Sequence, residues 1–197
     1  MQLHGVRVLD LTRILSGPFC TMLLADMGAD VIKIEPPGGD PLRGQGVMVE
    51  GLSWYFAAFN RNKHSVVLNL HRPAGQEALR RLIATADVVV DNFRPGVMTT
   101  LGLAWPQLCA LRPGIIHTSV TGFGARGPYA NRPAFDFIAQ AMSGFVKYSA
   151  LKDGACSWLR QRQPELPERY RHQRDFDASP ISDVVRGVQI SVGRIAT

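Results

Sequence analysis

Cysteine is scarce. The chain of 197 residues has three (Cys20, Cys109 and Cys156), and no two form a Cys-x-x-Cys pair. An odd, scattered set argues against a disulfide framework and against a zinc knuckle. Long apolar runs are missing as well: nothing approaches the roughly 18 consecutive residues a membrane-spanning helix needs, so no membrane association is expected. The opening Met1-Gln2-Leu3-His4-Gly5 lacks a basic segment followed by an apolar stretch, so no secretory signal is expected. The setting these absences imply is reducing and cytoplasmic.

Acidic residues are also in short supply. There are 16 Asp and Glu against 22 Lys and Arg, which leaves a net charge of +6 and a pI near 9.7. The basic residues do not form a stripe interleaved with aromatics, so nucleic acid is not the expected partner. A solvated basic surface or a phosphate-bearing anionic ligand fits better. Familiar catalytic signatures are absent too. The five histidines (His4, His64, His71, His117, His172) are scattered, and neither His-Glu-x-x-His nor Gly-x-Ser-x-Gly occurs. No paired carboxylates stand out. Residues 122–127 fit Gly-x-Gly-x-x-Gly by letter, but Pro128 and Tyr129 follow, and no helix opens promptly behind them. His117 lies in a strand pattern and reads as a core residue rather than a base.

What is present can build a core: 46% of residues are apolar, with 19 Gly and 13 Pro as punctuation. Up to residue 146, strand-like and helix-like segments alternate. Strands are expected at 6–11, 30–35, 65–70, 87–91 and 114–120. Helices are expected at about 19–27, where Gly28 closes the helix, at 73–86, with Leu79, Leu82 and Ile83 on one face, and at 105–111. The alternation predicts an α/β fold: a Rossmann-like parallel sheet with helices on both faces. Charge density more than doubles over 147–179, a diverged or insertion-like stretch. Residues 180–197 return to a texture rich in Val, Ile and Gly.

In parallel sheets, ligands sit beyond the carboxyl ends of the strands. The loops there are 12–18, 36–40, 71–72, 92–96 and 121–128. They carry Arg13, Arg72, Arg94 and Arg126, which together suit an anion-binding rim.

Five blocks carry a more specific signal. Leu3-x-Gly5-Val6-Arg7-Val8-Leu9-Asp10-Leu11-Thr12-Arg13 leads to Gly17-Pro18-Phe19-Cys20. Met27-Gly28-Ala29-Asp30-Val31-Ile32-Lys33-Ile34-Glu35 and Phe59-Asn60-Arg61-Asn62-Lys63-His64-Ser65 follow. Then come Ala86-Asp87-Val88 with Asn92-Phe93-Arg94-Pro95-Gly96-Val97, and finally Thr121-Gly122-Phe123-Gly124 with Gly127-Pro128-Tyr129 and Arg132-Pro133-Ala134-Phe135-Asp136. In this order the blocks resemble the class III CoA-transferases, whose members include formyl-CoA, carnitinyl-CoA and succinyl-CoA-type transferases and the related methylacyl-CoA racemases.

The resemblance implies coenzyme A as the shared ligand, delivered as an acyl-CoA, with a carboxylic acid as acceptor and no metal. It places the adenosine and phosphates against Arg13, Ile14 and Leu15; against Leu68, Leu70 and His71; and against Asn92, Phe93 and Arg94. It also implies an aspartate nucleophile. The block Pro180-Ile181-Ser182-Asp183-Val184-Val185-Arg186-Gly187 matches the family's pattern and makes Asp183 that residue; read alone, Asp183 fits a helix cap equally well. The racemases carry a catalytic histidine directly before an aspartate, where this chain has Phe135 before Asp136, and phenylalanine cannot move a proton. A transferase is therefore expected over a racemase. An inactive fragment that keeps CoA binding or dimerisation is the expectation of a different class. Relatives form interlocked homodimers. The resemblance divides this chain into a CoA-binding portion of the large domain (1–146), the unlike stretch 147–179, and the start of the aspartate block (180–197), without the small second domain.

Overall fold

The computed structural model describes residues 1–124, 126–134, 138 and 188–192. Eight strands, five α-helices and one 3₁₀ helix follow one another among them. They are β1 (Arg7–Asp10), α1 (Ser16–Asp26), β2 (Asp30–Glu35), the 3₁₀ turn Pro41–Gly44, β3 (Met48–Val49), β4 (Leu52–Ser53), α2 (Trp54–Asn60), β5 (Lys63–Val67), α3 (Pro73–Ile83), β6 (Val88–Asp91), α4 (Val97–Thr100), α5 (Trp105–Leu111), β7 (Ile116–Val120) and β8 (Val188–Val192). The main sheet runs β5-β2-β1-β6-β7-β8, and β3 and β4 form a separate hairpin.

The first five strands of the main sheet are parallel. Among the described strands of this sheet only β8 reverses, pairing antiparallel with β7 from Ile116↔Val192 to Val120↔Val188. The expected α/β class and parallel sheet are what the chain adopts, with one antiparallel edge strand added. The chain divides into two units, Met1–Thr121 with Val188–Thr197, and Gly122–Gly187.

The central strands are apolar because helices cover the sheet. Leu9, Leu11, Ile34, Leu79, Ile83, Val89, Leu108 and Ile115 form one core cluster. Val8, Ala25, Ala29, Val31 and Val90 form a second. α3 buries Leu79 and Ile83, and Pro73 opens it where a missing N–H costs nothing. Gly28 follows α1 in the left-handed region at φ +100, which glycine adopts without a Cβ penalty.

β5 starts two residues earlier than the sequence suggests and stops at Val67. Its register against β2 runs from Val31↔Lys63 to Glu35↔Val67. Lys63 and His64 look like loop residues, yet Lys63 is a strand residue whose side chain is 1% exposed. The hairpin and α2 carry no sequence periodicity and emerge only in three dimensions.

A candidate coenzyme site at the carboxyl edge of the sheet

Three adjacent strands, β2, β1 and β6, each end on a buried acid: Glu35, Asp10 and Asp91. Each carboxylate organises the loop that follows its own strand.

Asp10 Oδ1 accepts the Thr12 N–H at 2.9 Å and the Thr12 hydroxyl; Oδ2 accepts the Thr21 hydroxyl at 2.7 Å and Lys63 Nζ at 2.9 Å. Burial acts to raise the Asp10 carboxyl, but Lys33, Lys63, Thr12 and Thr21 outweigh it and hold the group below the usual carboxylate range. The same burial lowers Lys63, with Asp10 opposing.

Glu35 is gripped by the Arg43 fork, with Nη2 on Oε1 at 2.6 Å and Nε on Oε2 at 2.7 Å. The Ser65 hydroxyl and the Asp40 N–H complete its shell at 2.6 and 2.9 Å. Burial again pushes upward, yet Arg43, Ser65 and Asp40 bring the Glu35 carboxyl down to about 2. The Arg43 guanidinium lies over the Phe56 ring, 3.9 Å from its centroid.

Asp91 accepts the Phe93 N–H at 3.0 Å and the Ser119 hydroxyl at 3.2 Å, and its Oδ2 meets His117 Nε2 at 2.6 Å. His117 is a half-buried strand residue, as its pattern suggests, and it has a definite partner in Asp91.

Two buried lysines complete the polar layer. Lys33 Nζ donates to the Thr12 carbonyl at 2.8 Å and forms an ion pair with Asp40 Oδ2 at 3.0 Å, both side chains being 1% exposed. Lys63 Nζ donates to the Pro18 carbonyl at 2.8 Å and to Asn60 Oδ1 at 3.0 Å in addition to Asp10.

Above this layer, the structure brings together part of the expected ligand set. Asn92 clasps the backbone of Arg13 in both directions: Arg13 N–H donates to Asn92 Oδ1 at 3.0 Å, and Asn92 Nδ2 donates to the Arg13 carbonyl at 2.8 Å. The Arg13 guanidinium then lies 5.8 Å from the centroid of the Phe93 ring. Ile14 follows at φ +69, a left-handed conformation that a β-branched residue rarely adopts. Leu15 is 37% exposed beside it.

The second group stands apart in the sheet. Leu68 and Leu70 follow β5, which β2 separates from β1, and both pack on the same core cluster as Phe93. The His71 N–H is held by Asn69 Oδ1 at 3.0 Å, and its side chain is exposed. Arg94 is exposed on the loop after β6. Among the described residues, no hydrogen bond or ion pair ties His71 or Arg94 to Arg13. Asp183, Phe135 and Asp136 lie outside the described residues.

Sequence reasoning did not find Asp10, Glu35 and Asp91 as a set, nor Lys33 and Lys63 as buried cations. The acids have one common signal, an acidic residue closing an apolar strand run. The lysines have none, since the Thr12 carbonyl that Lys33 takes and the Asp10 carboxylate that Lys63 takes lie 21 and 53 residues away.

Comparison with known proteins agrees with this architecture. The model for CoA-transferase family III matches residues 3–163. A succinyl-CoA:glutarate CoA-transferase of Mus musculus is 46% identical over 154 residues, covering 77% of this chain and 35% of that protein. An acetyl-CoA:oxalate CoA-transferase of Acetobacter aceti is 46% identical over 151 residues, covering 76% of this chain and 39% of its own length. Among solved structures, a CAIB/BAIF family protein of Brucella suis matches with a TM-score of 0.69 and 44% identity, over 73% of this chain and 39% of that one. This chain thus spans well under half the length of the relatives it matches. Its sheet, its loop sequences and the match across most of its length place it in CoA-transferase family III.

Proposed function

We propose that this chain supplies the coenzyme A-binding part of an enzyme that moves CoA from an acyl-CoA thioester to a carboxylic acid. The observation that carries the reading is the clasp between Arg13 and Asn92, which sets a guanidinium beside the Phe93 ring at the carboxyl edge of β1 and β6. A cation next to an aromatic face suits a phosphorylated nucleoside, one group meeting phosphate and the other the base. Ile14, Leu15, Leu68 and Leu70 supply apolar surface, and His71 and Arg94 supply further polar contacts along an extended ligand.

In this reading Asp183 is the nucleophile. Its carboxylate attacks the thioester carbonyl and expels CoA thiolate, giving a mixed anhydride. The thiolate attacks the aspartyl carbonyl, which releases the donor acid and leaves an aspartyl-CoA thioester. The acceptor carboxylate then displaces the thiolate to form a second anhydride. The thiolate attacks the acceptor's carbonyl, yielding the new acyl-CoA and free Asp183. Names among the relatives point to dicarboxylic acids such as glutarate and oxalate as acceptors.

A homodimer belongs to the same reading. Leu15, Phe19, Leu23 and Met27 form an exposed apolar stripe at and beside α1, and Trp54 is 64% exposed on α2. A second copy of the chain is the occupant that would cover them.

The test combines calorimetric titration with CoA and intact mass after incubation with acyl-CoA. The chain should bind CoA, and Asn92→Ala should raise Kd about tenfold, the worth of about 1.4 kcal/mol. A covalent CoA adduct that disappears in Asp183→Ala is the expected result. Binding without an adduct would favour the second reading, a binding-only chain. No binding would defeat both.

A further inference from the structure

The loop 12–18 is built against its own local preferences. Ile14 sits at φ +69, and the helix that follows has no side-chain cap at Leu15. Something outside the loop has to hold it. Four groups do so, and none belongs to the loop: Asp10 takes the Thr12 N–H and hydroxyl, and three more hold the main chain around it. Asn92 takes the backbone of Arg13, Lys33 takes the Thr12 carbonyl, and Lys63 takes the Pro18 carbonyl. The two lysines therefore grip carbonyls at both ends of the segment. Each is countered by a buried carboxylate, Asp40 for Lys33 and Asp10 for Lys63, with all four side chains at most 1% exposed.

Buried this way, neither ammonium can touch a ligand. A buried pair costs desolvation that packed apolar side chains would avoid, so stability alone gives a weak reason for it. Both ammoniums reach the same loop from β2 and β5, and that convergence gives the better reason.

We propose that Lys33 and Lys63 are positioning residues that preform the 12–18 loop, so that Arg13 and Ile14 meet the nucleotide end of CoA without reorganising. This rests on the reading of the site given above. Preorganisation raises affinity by removing the ordering cost from the binding step. Unlike surface arginines, the lysines act through main-chain carbonyls. Their loss should loosen the loop without changing the charge that the ligand meets.

The experiment replaces one pair by a neutral one. Lys33→Met with Asp40→Asn removes the donor to Thr12. The amide oxygen introduced at position 40 can still cap the Leu42 N–H, which Asp40 Oδ1 accepts at 2.9 Å. Amide hydrogen exchange, thermal melting and CoA titration are measured on this variant, on the unmodified chain and on Leu108→Ala, a core truncation away from the loop. The expected result is exchange at least tenfold faster in the peptide 11–19, a melting temperature no lower than that of Leu108→Ala, and a Kd for CoA raised about tenfold. Leu108→Ala should leave both loop exchange and Kd near their original values. Should the methionine pair fail to fold, Lys33→Leu with Asp40→Asn, which also removes the donor, is read in the same way. Unchanged loop exchange and unchanged Kd would overturn the proposal. So would failure of both pairs to fold while Leu108→Ala folds, because the lysines would then hold the whole fold rather than the loop. If the unmodified chain does not bind CoA, the reading of the site fails, and loop exchange alone decides whether the lysines position the loop.

Discussion

Glu35 shows how much a single side chain can tie together. Its carboxylate joins β5 through Ser65, the loop after β2 through the Asp40 N–H, and the 3₁₀ turn through Arg43. Because its folded pKa of about 2 lies below its ordinary 4.5, its stabilisation is complete above about pH 4.5 and fades as pH falls toward 2. The span corresponds to as much as about 3 kcal/mol. Asp10, also lowered, loses stabilisation in the same direction. Urea unfolding at a series of acidic pH values should show the unmodified chain losing its advantage over Glu35→Gln across that window. A constant gap between the two would contradict the assignment. Gly17 gives a second prediction at this scale. A Cβ there would collide with Thr12 Cβ and Cγ2, and Thr12 is fixed by Asp10. Gly17→Ala should cost about 1–3 kcal/mol in chemical denaturation, the usual range for overpacking a tight contact.

Among the elements, legibility follows the range of the interactions that form them. The strand 30–35 and the helix 105–111 lie where apolar periodicity and Pro or Gly boundaries put them, because local preference and burial agree. β5 is displaced because strand ends depend on the partner's length: β2 stops at Glu35, and the ladder stops with it. α2 has the sequence Trp-Tyr-Phe-Ala-Ala-Phe-Asn, with no polar face, and it buries only Phe56 and Asn60. A helix apolar all round cannot be oriented from its own residues. Of the candidate site, loop position and family resemblance single out Arg13, Asn92 and Phe93, which the structure brings together, and Arg94, which it does not tie to Arg13. The buried acids and lysines are not legible in this way, since a charged residue goes inside only when the fold supplies its partners, and these include Ser65 for Glu35, Thr12 for Lys33 and Asp10 for Lys63, 30, 21 and 53 residues away. The exposed side of α1 supplies the prediction for this scale. Leu23→Glu should leave thermal stability within about 0.5 kcal/mol, as for a surface change. It should shift sedimentation toward the single chain. Unaltered self-association would remove α1 from the proposed dimer contact.

For the whole molecule, charge and topology set the behaviour. A net charge of +6 draws anions, and its reach shrinks as salt rises. Raising ionic strength from about 0.02 to 0.5 M should therefore weaken CoA binding several-fold, chiefly through the association rate. An affinity indifferent to salt would place the binding energy in apolar contacts instead.

The strand order β5-β2-β1-β6-β7 also dictates a history for each newly made chain. β1 leaves the ribosome first, yet it lies in the middle of the sheet. Its β2 neighbour follows soon, while its β6 neighbour must wait for residue 88. Asp10 must stay hydrated until Lys63, 53 residues later, arrives to neutralise it. One wing of the sheet is thus complete before the other exists, and Asn92, the last part of the clasp on Arg13, arrives with the second wing. A nascent chain arrested with residue 67 outside the ribosome and residue 88 still within it should already hold the two lysines against the loop while leaving Arg13 free.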